Sequence, residues 1–425
     1  MPRAKFIVGV LAVLPTLLTP WPVAQAAAKY KVLHSFNDDK DGYSPGALTL
    51  GSGGRLYGAG AGPPFTYGLV FELAPGAKGW TLSTLYSFLD WKRDGEGPNT
   101  PLIFDNAGAL YGTTSVGGGG YSEAGVVFKL SPDGVGPWSE DVLYVFCSRN
   151  NCDDGGAPSA GVVRDRDGNL YGTTYGGGTG GVVFELSSGV NGWTESVLYG
   201  FHPISHDGTD GYGPLAGLTW DASGNLYGTT SVGGNYSTCS GSGGCGVVFE
   251  LTPTSGGGWQ EHILHRFAAF PHDGGVPYTG VVLDSSGNVY GVTAGGGIDG
   301  QICEGGCGTA FKLSKTRSGQ WKETILHDFD FTHGAGPLGT LVFDKAGSLY
   351  GTAWTGGSGQ CGCGLVFKLS PGKSGKWTYS VVHEFTGPDG ANPAAGVILD
   401  SQGNLYGTTQ SGGAYGGGVI FEITP

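Results

Sequence analysis

The stretch Gly168-Asn169-Leu170-Tyr171-Gly172-Thr173-Thr174 decides the fold, because versions of it recur along the chain. The motif with its Tyr-Gly pair recurs seven times, at successive spacings of 54, 60, 56, 63, 60 and 56 residues. The seven tyrosines are Tyr57, Tyr111, Tyr171, Tyr227, Tyr290, Tyr350 and Tyr406. Self-similarity at such a period indicates a solenoid or a propeller. We therefore expect residues 27–425 to form a single repeat domain, although their length alone would indicate two or three domains.

Each repeat predicts four short β-strands, named a to d in chain order. Apolar and β-branched runs typical of packed strands alternate with Gly-rich turns, and Gly accounts for 86 of the 425 residues. The expected strands are exemplified by residues 161–164 for strand a, 225–230 for b, 246–251 for c and 259–267 for d. The Asp-x-x-Gly-Asn segment between strands a and b supplies a tight turn, in which Gly takes a positive φ.

The two ends of the repeat region predict how the ring closes. The region begins with a lone strand d at residues 30–36 and ends with a lone strand c at residues 418–423. The N-terminal strand is therefore expected to complete the last blade, which leaves no free sheet edge. The sequence thus predicts an all-β protein, a seven-bladed β-propeller with four strands in each blade.

The repeated segments also carry a family resemblance. Residues 168–174 and 403–409 both read Gly-Asn-Leu-Tyr-Gly-Thr-Thr, and Val-Phe-Glu-Leu follows the first of them at residues 183–186. In these motifs, and over all seven repeats, the chain resembles the GloVer tandem-repeat proteins, a family of exported bacterial proteins. The resemblance implies export and repeat architecture, and it implies no established activity. A looser similarity, limited to the Asp-x-x-Gly-Asn-x-Tyr turn, is to bacterial propellers such as lactonases and streptogramin lyases.

The N-terminus and the charge bear on location and partners. Basic Arg3 and Lys5, an apolar run at residues 6–18 and a small-x-small site at residues 24–26 predict a secretory signal peptide over residues 1–26. No later segment is apolar enough to span a bilayer. The formal net charge of −13 argues against nucleic acid as a partner. We expect a secreted monomer, either extracellular or periplasmic.

All eight cysteines fall in loops at one end of the blades. In a four-stranded antiparallel blade, the d–a and b–c loops emerge on one face, and here these are the long and irregular loops. Export makes disulfides the expected state. Pairing within each loop is the simplest arrangement, with Cys361 and Cys363 able to pair instead with the neighbouring loop; a zinc site on the last four cysteines is a further alternative. The pairs by loop are Cys147 with Cys152, Cys239 with Cys245, Cys303 with Cys307, and Cys361 with Cys363.

Comparison of the repeats separates framework residues from site candidates. A strand-d position that holds His in four repeats and Tyr in three is assigned to packing, and it includes His265. Histidines that break the repeat collect before blades four to six, some beside carboxylates, which suits a divalent metal such as Ca²⁺ or Mg²⁺, or proton transfer. Unpartnered surface histidines are the alternative. The candidate metal ligands are His206, Asp207, His272, Asp273 and His333.

Aromatic residues that break the repeat lie in the same loops. They are Trp91, Tyr121, Tyr175, Tyr236, Trp354 and Tyr415. Such rings stack on sugars, or they cover Gly-rich loops. The sequence therefore favours a non-catalytic binding protein for an extracellular polysaccharide or protein. The alternatives are a metal-dependent lyase or hydrolase at the mouth of the central channel, and a structural protein of the cell envelope.

Overall fold

A computed structural model of the chain describes residues 28–98, 100–119, 124–134, 138–202, 210–235, 239, 243–298 and 302–425. Within these residues the protein is all-β, and its only helices are three-residue 3₁₀ turns such as Ser52–Gly54, Asn150–Cys152 and Lys373–Gly375. Across the described ranges, no helix is long and apolar enough to cross a membrane. The predicted signal peptide, residues 1–26, lies outside the described residues.

Seven four-stranded antiparallel sheets form the blades of a ring, which confirms the predicted seven-bladed propeller. Strands a to d are Leu48–Leu50, Leu56–Gly60, Leu69–Gly76 and Gly79–Ser87 in blade 1; Ile103–Phe104, Leu110–Thr114, Val126–Ser131 and Ser139–Val145 in blade 2; Val163–Arg164, Leu170–Thr174, Val182–Gly189 and Gly192–Gly200 in blade 3; and Thr219–Trp220, Leu226–Thr230, Val247–Pro253 and Trp259–Arg266 in blade 4. They are Val282–Leu283, Val289–Thr293, Thr309–Lys315 and Trp321–Asp328 in blade 5, and Val342–Phe343, Leu349–Ala353, Leu365–Pro371 and Trp377–Glu384 in blade 6. Blade 7 consists of Ile398–Leu399, Leu405–Thr409, Val419–Thr424 and, as strand d, the N-terminal Lys29–Ser35.

The N-terminal strand closes the ring as predicted. Lys29–Ser35 pairs antiparallel with Val419–Thr424, so that Tyr30 lies opposite Ile423. The first and last segments of the repeat region are therefore held in one sheet, and the unfolding of either would open the ring.

Pairs of buried phenylalanines form the core between blades. Phe267, at the end of strand d of blade 4, meets Phe311 of strand c in blade 5 edge to face, with ring centroids 5.2 Å apart. The Gly of the Tyr-Gly motif is required beside this ring, because a Cβ at Gly291 would lie 2.6 Å from Phe311 Cζ. Edge-to-face contacts of this kind recur at all seven blade interfaces, where they stabilise the packing beyond simple burial.

Strand a is shorter than the sequence predicts. In blade 3 it comprises only Val163–Arg164, whereas residues 161–164 were expected. The cause is that the backbone just before strand a bonds to the neighbouring blade: the Thr113 hydroxyl of blade 2 donates to the carbonyl of Ala160 at 2.9 Å. The same contact joins Thr173 to Ala216 at 2.8 Å. Ala160 and Ala216 consequently line the central channel instead of extending the sheet of their own blade.

Candidate binding face

The d–a and b–c loops of every blade are joined to each other. Single backbone bridges connect the two loops in six blades, as between Tyr43 and Ala61 in blade 1. In blade 5 the contact widens into a small two-stranded sheet of Gly274–Gly275 with Gly295–Gly296. We call the surface formed by all d–a and b–c loops the loop face. These bridges hold otherwise irregular, Gly-rich loops in fixed positions around the ring.

Disulfides further restrain the loop face. All eight cysteines are bonded, and each pair lies within one loop, as the simplest prediction had it. Because Cys361 bonds to Cys363, no bridge joins neighbouring loops, and no thiolate is left for the alternative zinc site. Four disulfides indicate that the protein matures in an oxidising compartment.

Exposed apolar side chains are concentrated on the loop face. Of the twelve large hydrophobic side chains that are exposed among the described residues, only Val190 and Val381 lie elsewhere. The exposed aromatic rings are all on this face, and they are Tyr43, Phe65, Tyr67, Tyr175, Tyr278, Trp354 and Tyr415. Concentration of this kind on one face marks a surface that contacts a partner or ligand.

A cavity of about 470 Å³ occupies the central channel. It is lined mainly by Gly, Ala, Val and Leu from the segments around the start of each strand a, together with Tyr278 and Gln410. Among the described residues, the lining contains no Asp, Glu, His, Lys or Arg. The channel therefore offers shape and a few polar contacts, and its described walls carry no carboxylate or imidazole for acid–base chemistry.

The predicted aromatic candidates divide into three groups. Tyr175, Trp354 and Tyr415 are exposed on the loop face, with 47%, 41% and 65% of their surface accessible. Trp91 is half-buried, and its carbonyl accepts a hydrogen bond from Gly118 N–H at 2.7 Å, so it also supports a loop. Tyr121 and Tyr236 lie outside the described residues. Four exposed aromatics of the loop face were not among the candidates. Tyr43 lies within, and Tyr278 directly after, the Asp-Gly-x-x-Pro segment that recurs before strand a, while Phe65 and Tyr67 lie in the b–c loop of blade 1.

The predicted metal ligands do not converge at the channel. His272 lies at the edge of blade 5, with Nδ1 3.4 Å from Asp328 Oδ2, while His333 Nδ1 contacts Asp330 at 2.9 Å between blades 5 and 6. Asp273 is the acceptor for His265 Nε2 at 3.1 Å. His206 and Asp207 lie outside the described residues. None of the described candidates lines the central cavity.

The carboxylates of the Asp-Gly-x-x-Pro segments bind strand d of the preceding blade. Asp154 accepts hydrogen bonds from the Tyr144 hydroxyl at 2.8 Å and from Ser148 N–H at 2.9 Å. Where strand d carries His, the same bond forms, with 3.0 Å between His383 Nε2 and Asp389 Oδ2. These contacts fix the start of the d–a loops that carry this Asp, so the Asp acts as a turn element there; the loop before blade 6 has His333 in its place.

A glutamate from the next blade joins this ring–aspartate pair at four successive interfaces. It is the second residue after the strand-d Trp, and the four are Glu140, Glu195, Glu261 and Glu323. Between blades 3 and 4, for example, the Tyr199 hydroxyl is 3.0 Å from both Asp210 and Glu261 carboxylate oxygens. Two carboxylates thus share one donor in a half-buried contact.

Burial and the neighbouring aspartate raise the pKa of these glutamates. Burial is the main cause in each case, and it brings the pKa of Glu140 and of Glu261 to about 8. The pKa of Glu195 rises only to about 7, because Arg149 opposes burial from a distance of 2.7 Å. A shared proton or a nearby cation is therefore needed to hold each carboxylate pair together.

Sequence comparison missed one His, Asp and Glu set. The ligand atoms of His265, Asp273 and Glu323 all lie within 4.8 Å of one another between the outer strands of blades 4 and 5. Of these residues only Asp273 was a metal candidate, because His265 and Glu323 occupy repeated positions. The sequence signal that could have found the set is a strand-d His in one blade followed by a Glu two residues after the Trp of the next blade. Among the described interfaces, this pairing occurs only between blades 4 and 5.

Comparison with known proteins places the chain in a family. No curated protein matches it. Among solved structures, it is similar to a luciferin-regenerating enzyme with a TM-score of 0.45 and 10% identity, over 94% of this chain and 96% of that one. It is also similar to a protein from Bacteroides uniformis assigned as a 6-phosphogluconolactonase, with a TM-score of 0.48 and 14% identity, over 86% and 89% of the two chains. The model of the Gloeobacter/Verrucomicrobia repeat matches residues 21–152, 62–303 and 300–425, which confirms the predicted GloVer resemblance, and the chain belongs to this repeat family.

Proposed function

We propose that this protein is an exported, non-catalytic binding propeller, whose loop face holds an extracellular polysaccharide around the mouth of the central channel. The observation that carries the proposal is the confinement of the exposed aromatic rings to that face. The four disulfides support it, because restrained loops lose less conformational entropy when they bind a ligand. Export follows from the predicted leader at residues 1–26, with residues 27–425 as the mature domain.

A polysaccharide is favoured over a protein by the surroundings of the exposed rings. Trp354 follows strand b of blade 6, and its carbonyl accepts a hydrogen bond from the Asn392 side chain at 3.2 Å. Asn392 also contacts the Ser411 hydroxyl at 2.8 Å, next to Gln410 in the channel wall. An aromatic ring beside amide and hydroxyl groups suits a sugar, which has an apolar face rimmed with hydroxyls. Protein interfaces instead have a continuous apolar core.

The channel supports a binding role over a catalytic one. A lyase or hydrolase at its mouth requires a group that moves a proton or a metal that activates water. Tyr278 is the titratable side chain in the described lining, and its phenol stands beside Gly, Thr and aliphatic groups. The cavity is consistent with holding part of a chain ligand without cleaving it.

The proposal is tested with the mature chain on a glycan array, followed by calorimetric titration with the polysaccharides it retains. We expect Trp354→Ala and Tyr278→Ala each to weaken binding about tenfold, the loss of roughly one ring contact. Val190→Ala, an exposed apolar side chain on the opposite c–d turn, is the matched control and should bind as the unaltered protein does.

Three results would overturn the proposal. Unchanged affinity in both aromatic variants would remove the binding site from the channel mouth. Shortening of the bound polysaccharide during incubation would make the protein an enzyme. Retention of a protein from the culture medium, with no glycan bound, would assign the loop face to protein recognition.

A further inference from the structure

We propose that a divalent transition-metal ion of the Zn²⁺ or Mn²⁺ class binds between the outer strands of blades 4 and 5, on His265, Asp273 and Glu323. The three ligand atoms lie within 4.8 Å of one another, with His265 Nε2 3.1 Å from Asp273 Oδ1 and 3.7 Å from Glu323 Oε1. A single ion placed among them contacts one imidazole nitrogen and two carboxylate oxygens. This site is separate from the channel mouth and does not depend on the proposed function.

Three other interfaces of the ring have the same pair of carboxylates and can be compared with this one. At the three equivalent interfaces, an arginine compensates the paired carboxylates. Arg149 contacts Glu195 at 2.7 Å between blades 2 and 3. Arg93 acts against burial to lower the pKa of Glu140, and Arg266 does so for Glu261. Each of these interfaces is therefore provided with positive charge by the protein.

The interface between blades 4 and 5 reverses this pattern. Asp328 stands five residues after Glu323, at the position that Arg266 holds relative to Glu261. Asp273 and Asp328 are both close enough to act on the Glu323 carboxylate, and among the described residues the ion pair recorded for Glu323 is with His265 and not with an arginine. Two carboxylates thus meet the imidazole of His265, and a third, Asp328, lies near Glu323 with its Oδ2 3.4 Å from His272 Nδ1. The charge that an arginine supplies elsewhere has to come from a proton or a bound cation.

Unused bonding capacity favours the cation. Glu323 Oε1 and Asp328 Oδ1 are buried, and neither has a hydrogen-bond partner among the described residues. Oxygens of Glu140, Glu195 and Glu261 are also buried without such a partner, but an arginine acts on each of those glutamates. A protonated Glu323 would neutralise one charge and would leave the remaining acceptors unfilled. A divalent ion satisfies several carboxylate oxygens at once, and the side-chain exposures of 21% for His265 and 13% for Glu323 leave a route from solvent.

The ligand types select the class of metal. Imidazole nitrogen suits Zn²⁺ and related transition ions, whereas Ca²⁺ and Mg²⁺ prefer a shell made of oxygen. One imidazole with two carboxylates therefore favours Zn²⁺ or Mn²⁺ over the Ca²⁺ or Mg²⁺ expected from the sequence. The cysteines do not compete for the ion, because all eight are in disulfides. Bound metal would join blade 4 to blade 5 near the base of a d–a loop.

The test is a titration of the chelator-treated, full-length mature protein with ZnCl₂ or MnCl₂, followed by calorimetry and by thermal unfolding. We expect one ion per chain and, at a metal concentration about a hundred times the Kd, a rise in Tm of roughly 3 °C. Glu323→Gln and His265→Gln should each weaken binding by at least about 100-fold, because loss of a direct ligand exceeds the effect of losing an outer hydrogen bond. Glu261→Gln, the same change at the neighbouring interface, should bind metal as the unaltered protein does.

The substitutions in these variants are expected to leave the fold intact. Glu323→Gln retains the shape of a protonated glutamate, and Leu82 occupies this repeat position between blades 7 and 1, so the fold accommodates an uncharged residue here. Far-UV circular dichroism confirms that each variant is folded before titration. No binding of either metal to the unaltered protein, or equal binding by Glu323→Gln and Glu261→Gln, would overturn the proposal.

Discussion

The outer interfaces of the ring use two different chemistries at one repeat position. Between blades 1 and 5 the residue two after the strand-d Trp is a glutamate, which faces an aspartate of the neighbouring loop. Between blades 5 and 7 a tyrosine holds the equivalent position, two residues after Trp377 in blade 6 and two after Ala28 in blade 7. Tyr379 stacks on His327 with ring centroids 3.8 Å apart, and its hydroxyl donates to the carbonyl of His333 at 2.7 Å. Tyr30 repeats both contacts with His383 and Asp389.

Backbone symmetry therefore does not impose chemical symmetry on the interfaces. Both kinds of interface hold the same strands and the same loop start. At the tyrosine interfaces a stacked ring and a backbone hydrogen bond replace the paired carboxylates and need no counter-charge, although His327 Nε2 is buried without a hydrogen-bond partner among the described residues. The glutamate interfaces remain incomplete without an arginine, a proton or a metal ion. Four of the seven interfaces are therefore sensitive to pH and ions, two depend on aromatic packing, and the seventh has Leu82 at this position.

Removal of a stacked ring should have the largest effect on stability. We expect Tyr379→Ala to lower the free energy of unfolding by about 2 to 3 kcal/mol, because it deletes a half-buried ring that packs on His327 and leaves a cavity. Denaturant unfolding followed by tryptophan fluorescence measures the change.

Tyr379→Phe is the matched variant for this prediction. It keeps the ring and removes only the hydrogen bond to His333, so it should cost about 1 kcal/mol. If the two variants are equally unstable, the hydroxyl rather than the stack holds blades 5 and 6 together.

The glutamate interfaces should make stability fall as the pH rises. Their pKa values in the folded protein, about 7 for Glu195 and about 8 for Glu140 and Glu261, exceed the ordinary value of about 4.3. The folded state therefore holds more protons than the unfolded state, and the stability that is present in full below about pH 4.5 is lost progressively up to about pH 8. After allowance for solvent screening, we expect about 1 to 2 kcal/mol for each glutamate.

Glu140→Gln isolates the contribution of one glutamate. The amide imitates the protonated acid, so the variant should match the unaltered protein at pH 5 and exceed its stability at pH 9. The measurement is the urea midpoint across this range. If the variant is less stable than the unaltered protein at pH 9, ionised Glu140 stabilises the fold, which contradicts the loss of stability expected as the pH rises.

Below this range the sign of the pH dependence reverses. Burial opposes ionisation of the aspartates in the a–b turns, but hydrogen bonds from the turn outweigh it and lower their pKa. These residues are Asp105, Asp221, Asp284, Asp344 and Asp400. Their stabilisation is present above the ordinary aspartate pKa of about 3.9 and is lost as the pH falls through the lower folded values. The two groups together place maximum stability at mildly acidic pH.

The fold could be predicted because every repeat carries the same pattern of strands and turns. Seven copies of the Tyr-Gly motif with offset termini were enough to predict the blades and the closing strand, which pairs as expected. The length of strand a could not be predicted, since it depends on the Thr113 and Thr173 hydroxyls, which belong to neighbouring blades. Aligning the repeats with one another does not reveal which residues of neighbouring blades are in contact.

Contacts between blades also decide which of the predicted metal ligands come together. His272 and His333 broke the repeat and were noticed, yet the structure places them at different interfaces. His265 follows the repeat and was assigned to packing, and Glu323, at another repeated position, was not considered. Only closure of blade 4 against blade 5 brings them together, so their pairing depends on which blade follows which.

Replacement of Arg149, between blades 2 and 3, should have the smallest effect on the free energy of unfolding. Arg149 is half-exposed, whereas the Glu195 side chain that it contacts is fully buried. We expect Arg149→Met to cost about 1 kcal/mol at pH 8, since solvent already screens much of the attraction. At pH 5 the cost should largely vanish, because Glu195 is then protonated and needs no counter-charge. Arg149→Lys, which keeps the charge, should lie between the two proteins at pH 8, and an equal loss at both pH values would mean that Arg149 acts through packing alone.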